Sequence, residues 1–560
     1  MKALYVFSVI FFTIGFTATS QDMSDYNGDW EGRLQSKSVF DFEVEILNLG
    51  SDEPLFRISN DVSEMVKPVV VNDGLLKAKL AERVEFVGYE SEGKIRGFVA
   101  SGLLQYHVVL DKRNGVYFGE LNALILDQLS SDKLYLSVEN GSGENYQAYP
   151  IFSETRFTGT WCADFKKNNQ EITFQDFKTG LNFKGILEPG RINMSIYLGD
   201  EMLVSKVNMS RSKGLWEYTD FNGVDRGDDS RKVSPLLIRM DSLINNNSLE
   251  NTHSVLISRN GKLVFEKYYN GYTEQVPHDT RSMSKSVSSA VMGILKDQGF
   301  YSNTSQSVFD FVVPKYLKYR DSLKNEIDLQ SLLTMSSGLD AIDFGIDSIS
   351  QASEDKYQST FDWFETILKA RMLYSPNVHA NYGTANPALL GLAARMMVEE
   401  PLNIFMDKYL FEKLDISNYV IQTDREGYSY FGGGMYLSPR DMLKFGEMYL
   451  NEGVWGSERI ISKEWIHESF KKYLPLENAK DQNMYGYLWW HGVYEHNDFE
   501  VATFEARGAG GQYVFVIPKL DAVVVITSAN FRNGKVQQPE RIFEEHILPF
   551  LLNEQSKTVY

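Results

Sequence analysis

Between residues 22 and 222 apolar and polar positions alternate in short runs broken by turn residues. The runs are residues 40–47, 69–71, 83–87, 94–99 and 107–118, the last folding back at Asn114-Gly115. A period of two marks strands with one buried face, and Asn-Gly supplies the positive-φ pair that a tight hairpin needs. Sustained helical periodicity is scarce here, so the region is predicted to be all-β, a barrel or a sandwich, in one or two modules. Gly28-Asp-Trp-Glu-Gly32 and Thr158-Gly-Thr-Trp161 both set a tryptophan beside glycine ahead of a β-rich stretch, a hint of duplication. Trp30 and Trp161 are candidates for stacking on a glycan, although tryptophans of this kind more commonly fill cores.

The pattern changes after residues 222–230, Asn-Gly-Val-Asp-Arg-Gly-Asp-Asp-Ser, a polar and turn-rich stretch suited to a linker. Helical spacing predicts helices over 235–245 and 360–373, and a hairpin is predicted over 254–268 about Asn260-Gly261. Another amphipathic helix is expected after Ser282, where Val287, Val291, Ile294 and Leu295 recur at helical spacing before Gly299. The expected organisation is a signal peptide over 1–20, a β-rich region over 21–225 and an α/β region over 231–560.

The signal-peptide expectation rests on Lys2, the apolar run 3–16 and the small residues Ala18-Thr19-Ser20. That run is short for a bilayer span, and no other stretch approaches about 20 apolar residues, so no transmembrane anchor is expected. Export to the periplasm or beyond the cell follows. Cys162 is the only cysteine, which leaves an exported chain without an intramolecular disulfide. With 56 Lys and Arg against 75 Asp and Glu, the net charge of −19 disfavours nucleic acid and anionic membranes as partners.

Candidate chemistry centres on Ser282-Met283-Ser284-Lys285. Residues three apart share a helix face, so a hydroxyl and an amine are brought together. A serine hydroxyl needs an adjacent base to become a nucleophile, and a desolvated lysine can serve. The start of a helix also offers unpaired backbone N–H groups to a developing oxyanion. The same spacing recurs at Ser130/Lys133, Ser210/Lys213 and Ser469/Lys472, but only Ser282 has a hairpin before it and an amphipathic helix starting on it. Rival chemistries lack support. There is no His-Glu-x-x-His, no cysteine pair and no metal-ligand spacing among eight histidines, so neither a metal nor another cofactor is expected. No Gly-x-Ser-x-Gly elbow occurs, and Gly432-Gly433-Gly434 and 508–511 lack the spacing of phosphate or dinucleotide loops.

Read in order with Ser282, the blocks 328–339, 382–391, 432–446, 485–490 and 508–518 resemble the serine β-lactamase and penicillin-recognising family, especially its class C, 6-aminohexanoate-dimer hydrolase and esterase branches. The resemblance covers residues 231 to the C-terminus. It implies an α/β (α+β) fold, an antiparallel sheet flanked by helices, with Ser282 as acylated nucleophile, Lys285 as the amine that tunes it and Tyr382 as the phenol that relays the proton. It further implies an oxyanion hole from the backbone N–H groups of Ser282 and Ala509. Two positions depart from the family pattern. Thr384 stands where the tyrosine motif has asparagine, and Ala506-Arg507-Gly508 stands where the strand motif has Lys-Thr-Gly or His-x-Gly. Thr384, Arg507 and Gly508 are the substrate-binding candidates.

A literal Lys178-Thr179-Gly180 precedes the nucleophile and reads as a hairpin turn. The expected function is an exported serine hydrolase acting through an acyl-enzyme on small ester, amide or peptide-like substrates. The alternative is a non-catalytic envelope or glycan-binding protein that retains the fold. Because every candidate catalytic residue follows the linker, a fragment beginning near Arg231 is expected to fold and hydrolyse small substrates unaided.

Overall fold

The computed structural model describes residues 23–35, 37–123, 133–140, 146–152, 162–212, 234–274, 276–345, 349–479, 483–531 and 533–557. The signal-peptide stretch, Trp161 and the linker 222–230 lie outside these residues.

The β-rich part forms two antiparallel, barrel-like sheets. One runs through the strands Glu64–Pro68, Leu55–Ser59, Asp41–Leu47, Val116–Asn122, Leu104–Arg113, Lys94–Ser101, Val84–Ser91, Leu75–Ala81 and Val70–Asn72 in spatial order. The other runs Tyr146–Phe152, Lys133–Asn140, Gly28–Arg33, Met202–Arg211, Arg191–Leu198, Leu181–Glu188, Glu171–Asp176 and Cys162–Asn168. The chain therefore enters through the second sheet, builds the first and returns, so the two sheets are interleaved in sequence rather than consecutive. Alternation works as expected: Asp41–Leu47 buries Phe42, Val44 and Ile46 and turns Asp41 and Glu43 outward. Asn114 and Gly115 take φ of 51° and 88°, the mirror-image turn their sequence favours. Trp30 is buried to 1% exposure and donates its indole N–H to the Tyr26 carbonyl at 2.9 Å, so it is a core residue and cannot stack on a glycan.

From Pro235 onward a central antiparallel sheet carries helices on both faces. Its order is Lys262–Tyr268, Thr252–Arg259, Ala522–Ser528, Gln512–Ile517, Phe499–Gly508, Trp490–His496, Met484–Tyr485 and Leu474–Pro475. Helix Pro235–Asn245 starts where expected, with Pro235 in its first turn and the Ser234 hydroxyl accepting from the Leu236 N–H, and it packs Leu237, Met240 and Ile244 on the sheet's outer face. The helix expected over 360–373 shortens to Trp363–Lys369 because Asp362 caps it, its side chain accepting from the Glu365 N–H. Helix Ser284–Asp297 departs from its amphipathic reading. Every residue from Ser284 to Leu295 is buried. Three of its four serines tolerate this through carbonyl partners: Ser284 donates to Arg281 at 2.9 Å, Ser286 to Leu488 at 2.7 Å and Ser288 to Ser284 at 3.2 Å.

The two parts are joined by more than a linker. Strand Val420–Gln422 adds to the edge of Leu104–Arg113, pairing Val420 with Tyr106, Ile421 with Gln105 and Gln422 with Leu104. Val420 also pairs with Tyr436, and Tyr436–Leu437 pairs with His278–Asp279. Backbone pairing thus runs unbroken from the β-rich region to within three residues of Ser282.

Beside that seam lies a buried polar hub. Asp407, fully buried, accepts from Arg96 at 2.8 and 2.9 Å, from Tyr89 at 2.9 Å and from Tyr419 at 2.8 Å, with His107 Nε2 at 3.1 Å. Burial alone would raise the carboxyl's pKa, but His107 and Arg96 outweigh it and hold Asp407 well below the ordinary carboxylate range. A fragment beginning near Arg231 would keep Asp407 and lose Arg96, His107 and Tyr89. The seam that this hub and the added strand close would then be uncovered, which argues against a self-sufficient C-terminal region.

Candidate active site

Strand His278–Asp279 delivers the chain to a single 3₁₀ turn, Arg281–Met283, from which helix Ser284–Asp297 continues. Arg281 adopts φ of 50°, a left-handed conformation that strains a residue bearing a Cβ. Several contacts hold it there. The Asp279 carboxylate accepts from the Arg281 N–H at 3.1 Å and lies 3.2 Å from its Nε, while the Arg281 carbonyl accepts from Ser284 Oγ and, at 3.3 Å, from the Gly434 N–H. Ser282, half-buried, stands immediately after this strained residue.

Lys285 Nζ donates to Ser282 Oγ at 2.8 Å and also to the Gly432 carbonyl. The amine lies 5.3 Å from the centre of the Tyr382 ring. Tyr382 is buried at 6% exposure, between Trp490 (ring centroids 5.3 Å) and Phe344 (5.4 Å). Its backbone is clamped by Asn478, which accepts from the Tyr382 N–H at 2.7 Å and donates back to its carbonyl at 3.1 Å. Burial raises the phenol's pKa, and the charge of Lys285 with hydrogen bonds from Ser282 and Lys285 offsets only part of that rise. The resting phenol is therefore neutral near pH 7. Glu354 lies close enough to feel Lys285. Burial raises its pKa, Lys285 opposes this, and its carboxylate accepts from Tyr430 at 2.9 Å.

The strand motif sits where the sequence places it. Gly508 ends strand Phe499–Gly508 against the turn before Ser282, and a Cβ there would overlap the Thr280 carbonyl oxygen and crowd the Met283 nitrogen. Only glycine allows that approach. Ala509 follows in an exposed turn.

The other two binding candidates are differently employed. The Thr384 hydroxyl donates to Asp343 Oδ2 and its backbone N–H does so at 2.7 Å, at 1% exposure, so this residue braces the start of helix Ala385–Met397. Arg507 pairs with Glu505 at 2.7 Å and Glu540 at 3.2 Å and lies 5.0 Å from Trp490. Strand alternation puts Arg507 with Glu505 on one face and Ala506 with Gly508 on the other. With both carboxylates engaging it, Arg507 is not an open cation.

Sequence reasoning missed Asp279, Asp343, Asn478 and Phe344, none of which belongs to a spaced motif, and it gave Trp490 no role although the residue lay within a recognised block. It also missed Lys178. The turn that carries it is the hairpin turn expected, between strands Glu171–Asp176 and Leu181–Glu188, yet Nζ reaches to 3.9 Å from Asp279 Oδ2. Burial pushes this amine down to about 8, with Asp279 opposing the fall.

The sequence profile of the β-lactamase family, described as Beta-lactamase, matches residues 251–546, more than half of the chain and the whole of this site. The chain belongs to the β-lactamase family. Among individual proteins, this β-lactamase-family chain is 24% identical over 344 residues to a 6-aminohexanoate-dimer hydrolase of Paenarthrobacter ureafaciens, covering 56% of this chain and 83% of the relative. Solved structures similar to it include EstCE1, described as a hydrolase with promiscuous acyltransferase activity, at 16% identity, TM-score 0.46 and coverage of 55% and 98%. A β-lactamase/D-alanine carboxypeptidase of Pseudomonas syringae matches at 16% identity, TM-score 0.44 and coverage of 55% and 99%. Among the described residues no group of three or more His, Cys, Asp or Glu could hold a metal ion, and no helix is long and apolar enough to cross a membrane.

Proposed function

We propose that this β-lactamase-family chain is an exported serine hydrolase that opens small esters or amides through an acyl-enzyme on Ser282. The observation that carries the reading is the 2.8 Å hydrogen bond from Lys285 Nζ to Ser282 Oγ beneath a buried tyrosine. Ser282 Oγ attacks the substrate carbonyl and its proton passes to the Lys285–Tyr382 pair. The charge of Lys285 opposes the burial-driven rise of the phenol's pKa, so the two side chains act on the proton together. The backbone N–H groups of Ser282 and Ala509 receive the oxyanion. Collapse expels the alcohol or amine, which takes a proton from Tyr382, and water then releases the acid by the same route in reverse. Export is supported by the charged-then-apolar pattern of residues 2–16 and the small residues that follow.

Substrate class follows from the departures. The buried methyl of Ala506 and the doubly paired guanidinium of Arg507 give a substrate carboxylate no free cation on this strand, while Phe344, Tyr382 and Trp490 offer aromatic surface. Neutral esters and amides are favoured over β-lactams, which carry a carboxylate. The name of the Paenarthrobacter relative points to amide cleavage, but the 6-aminohexanoate dimer itself carries a carboxylate, so the preference for neutral substrates rests on the residues above. A fluorophosphonate probe followed by peptide mapping tests the proposal. Labelling on the Ser282 peptide is expected, and an unlabelled protein, or a label mapped elsewhere, would overturn it.

A further inference from the structure

Beyond the residues that touch substrate, the β-rich region reaches the strained turn that carries the nucleophile. The hairpin turn at Lys178-Thr179-Gly180 is fixed on three sides. Asp176 accepts from the Lys178 and Thr179 N–H groups, each at 3.3 Å, and from the Thr179 hydroxyl at 2.6 Å. The first sheet grips the same turn: Ser101 Oγ donates to the Thr179 carbonyl at 2.7 Å and the Leu103 N–H to the Lys178 carbonyl at 2.8 Å. Gly102 and Gly180, at φ of 61° and 72°, lie so close that a Cβ on either would overlap the other's backbone. The C-terminal region completes the junction. The Thr423 N–H donates to the Leu103 carbonyl at 2.7 Å, and the Arg425 guanidinium sits 4.7 Å from the Phe177 ring.

From this rigid turn Lys178 extends across the seam at 6% exposure, its Nζ 3.9 Å from Asp279 Oδ2 and 5.5 Å from the Tyr436 ring. Tyr436 in turn donates to Asp279 Oδ2 at 3.5 Å. Asp279 is the carboxylate that holds Arg281 at positive φ, and Ser282 is the next residue. Buried opposite charges fix geometry more firmly than exposed ones, because water does not compete for them.

We propose that Lys178 of the β-rich region is a positioning residue for the hydrolase, fixing Asp279 so that Asp279 and Arg281 present Ser282 to the oxyanion hole; this rests on Ser282 being the nucleophile. The β-rich region is then part of the catalytic apparatus, although it supplies no atom to the substrate. A displacement of about 1 Å at a nucleophile costs about 10²-fold in rate, so the effect is measurable.

The test uses the full-length chain with Lys178→Met, Lys178→Arg, Asp279→Asn and Ser282→Ala. Each is assayed for the second-order rate and final stoichiometry of fluorophosphonate labelling, and for kcat and KM on p-nitrophenyl butyrate. Lys178→Met and Asp279→Asn are expected to lower the labelling rate and kcat about 10- to 100-fold, with full stoichiometry and KM within about threefold of the parent. Lys178→Arg is expected to restore most of the rate. A purely structural role predicts another result: fewer labelled molecules, each reacting at the parental rate, and that outcome overturns the proposal. A parental rate in Lys178→Met overturns it too, and where Lys178→Met does not fold, a parental rate in Asp279→Asn does so, because Lys178 acts through Asp279. Ser282→Ala separates the two readings. If it still labels, the nucleophile assignment has failed; if it is silent while Lys178→Met reacts normally, only the positioning role has failed.

Discussion

The buried polar clusters around Asp407 and around Ser282 are built to opposite ends. At Asp407 two tyrosines and one arginine donate to a single carboxylate, with His107 Nε2 a further 3.1 Å neighbour, and all of these side chains lie in the interior. Its protonation state is locked and its geometry overdetermined. At Ser282 the backbone is strained by Arg281, the hydroxyl receives one amine hydrogen bond, and the neighbouring phenol is pushed away from the ionisation state a base requires. A saturated cluster holds parts together, whereas an unsaturated one keeps capacity for a substrate to complete.

The contrast is broken most severely by removing its reactive member. Ser282→Ala is expected to lower kcat on p-nitrophenyl esters by at least about 10⁴-fold, with thermal unfolding within about a degree of the parent, because one small hydroxyl leaves little cavity. Turnover near the parental rate would place the chemistry elsewhere.

The converse experiment is Asp407→Ala. It strips the hub and leaves Arg96 buried with only Glu412, 3.8 Å away, and the Ile416 carbonyl, so about 3 kcal/mol of stability should be lost while each folded molecule turns over normally. Denaturant unfolding paired with active-site titration reads both. A variant as stable as the parent would show that the seam is held by strand addition and apolar packing alone. The hub's pH behaviour follows from its depressed carboxyl. The stabilisation is complete above the unfolded value, about pH 4, and is lost only as pH falls toward the folded value.

Tyr382→Phe sharpens the site's half of the comparison, with an expected loss of about 10²-fold or more in acylation. Since burial raises this phenol's pKa, its deprotonated form becomes commoner as pH increases, and kcat/KM should climb from neutrality toward alkaline pH. A flat profile from pH 6 to 9, within the range checked by stopped-flow acylation, would exclude the pair as base.

What the sequence revealed divides along physical lines. The β-rich strands were legible because one face is buried and the other wet, as the alternation along Asp41–Leu47 illustrates. The central strands Gln512–Ile517 and Ala522–Ser528 are buried at every residue, so no period remains to read there, and helix Ser284–Asp297 loses its polar stripe for the same reason. Ser282, Lys285 and Tyr382 stood out because helix geometry and ordered blocks tie them to short spacings. Asp343 acts on Thr384 from 41 residues away and Asn478 on Tyr382 from 96, and Lys178 reaches Asp279 from another sheet. Contacts of that separation leave no local pattern. Thr384 and Arg507 were read as substrate contacts without sight of their carboxylate partners, Asp343 and Glu540, which are set by folding rather than by motif.

The smallest expected effect concerns selectivity. Without a free cation on the strand that ends at Gly508, kcat/KM for p-nitrophenyl butyrate should exceed that for nitrocefin by about ten- to a hundredfold, the worth of one charged hydrogen bond. A strong preference for nitrocefin would mean that Arg507 leaves Glu505 and Glu540 to bind a carboxylate.

The central claim, that the less saturated of the two clusters forms a covalent acyl-enzyme at Ser282, is tested most directly by acid-quenching the protein during turnover of p-nitrophenyl butyrate and measuring its intact and peptide masses. The account predicts one butyryl group per chain, located on the peptide that contains Ser282 and absent from Ser282→Ala. Burst release of p-nitrophenol with no butyryl group at Ser282, or the same adduct in the Ser282→Ala chain, would contradict it.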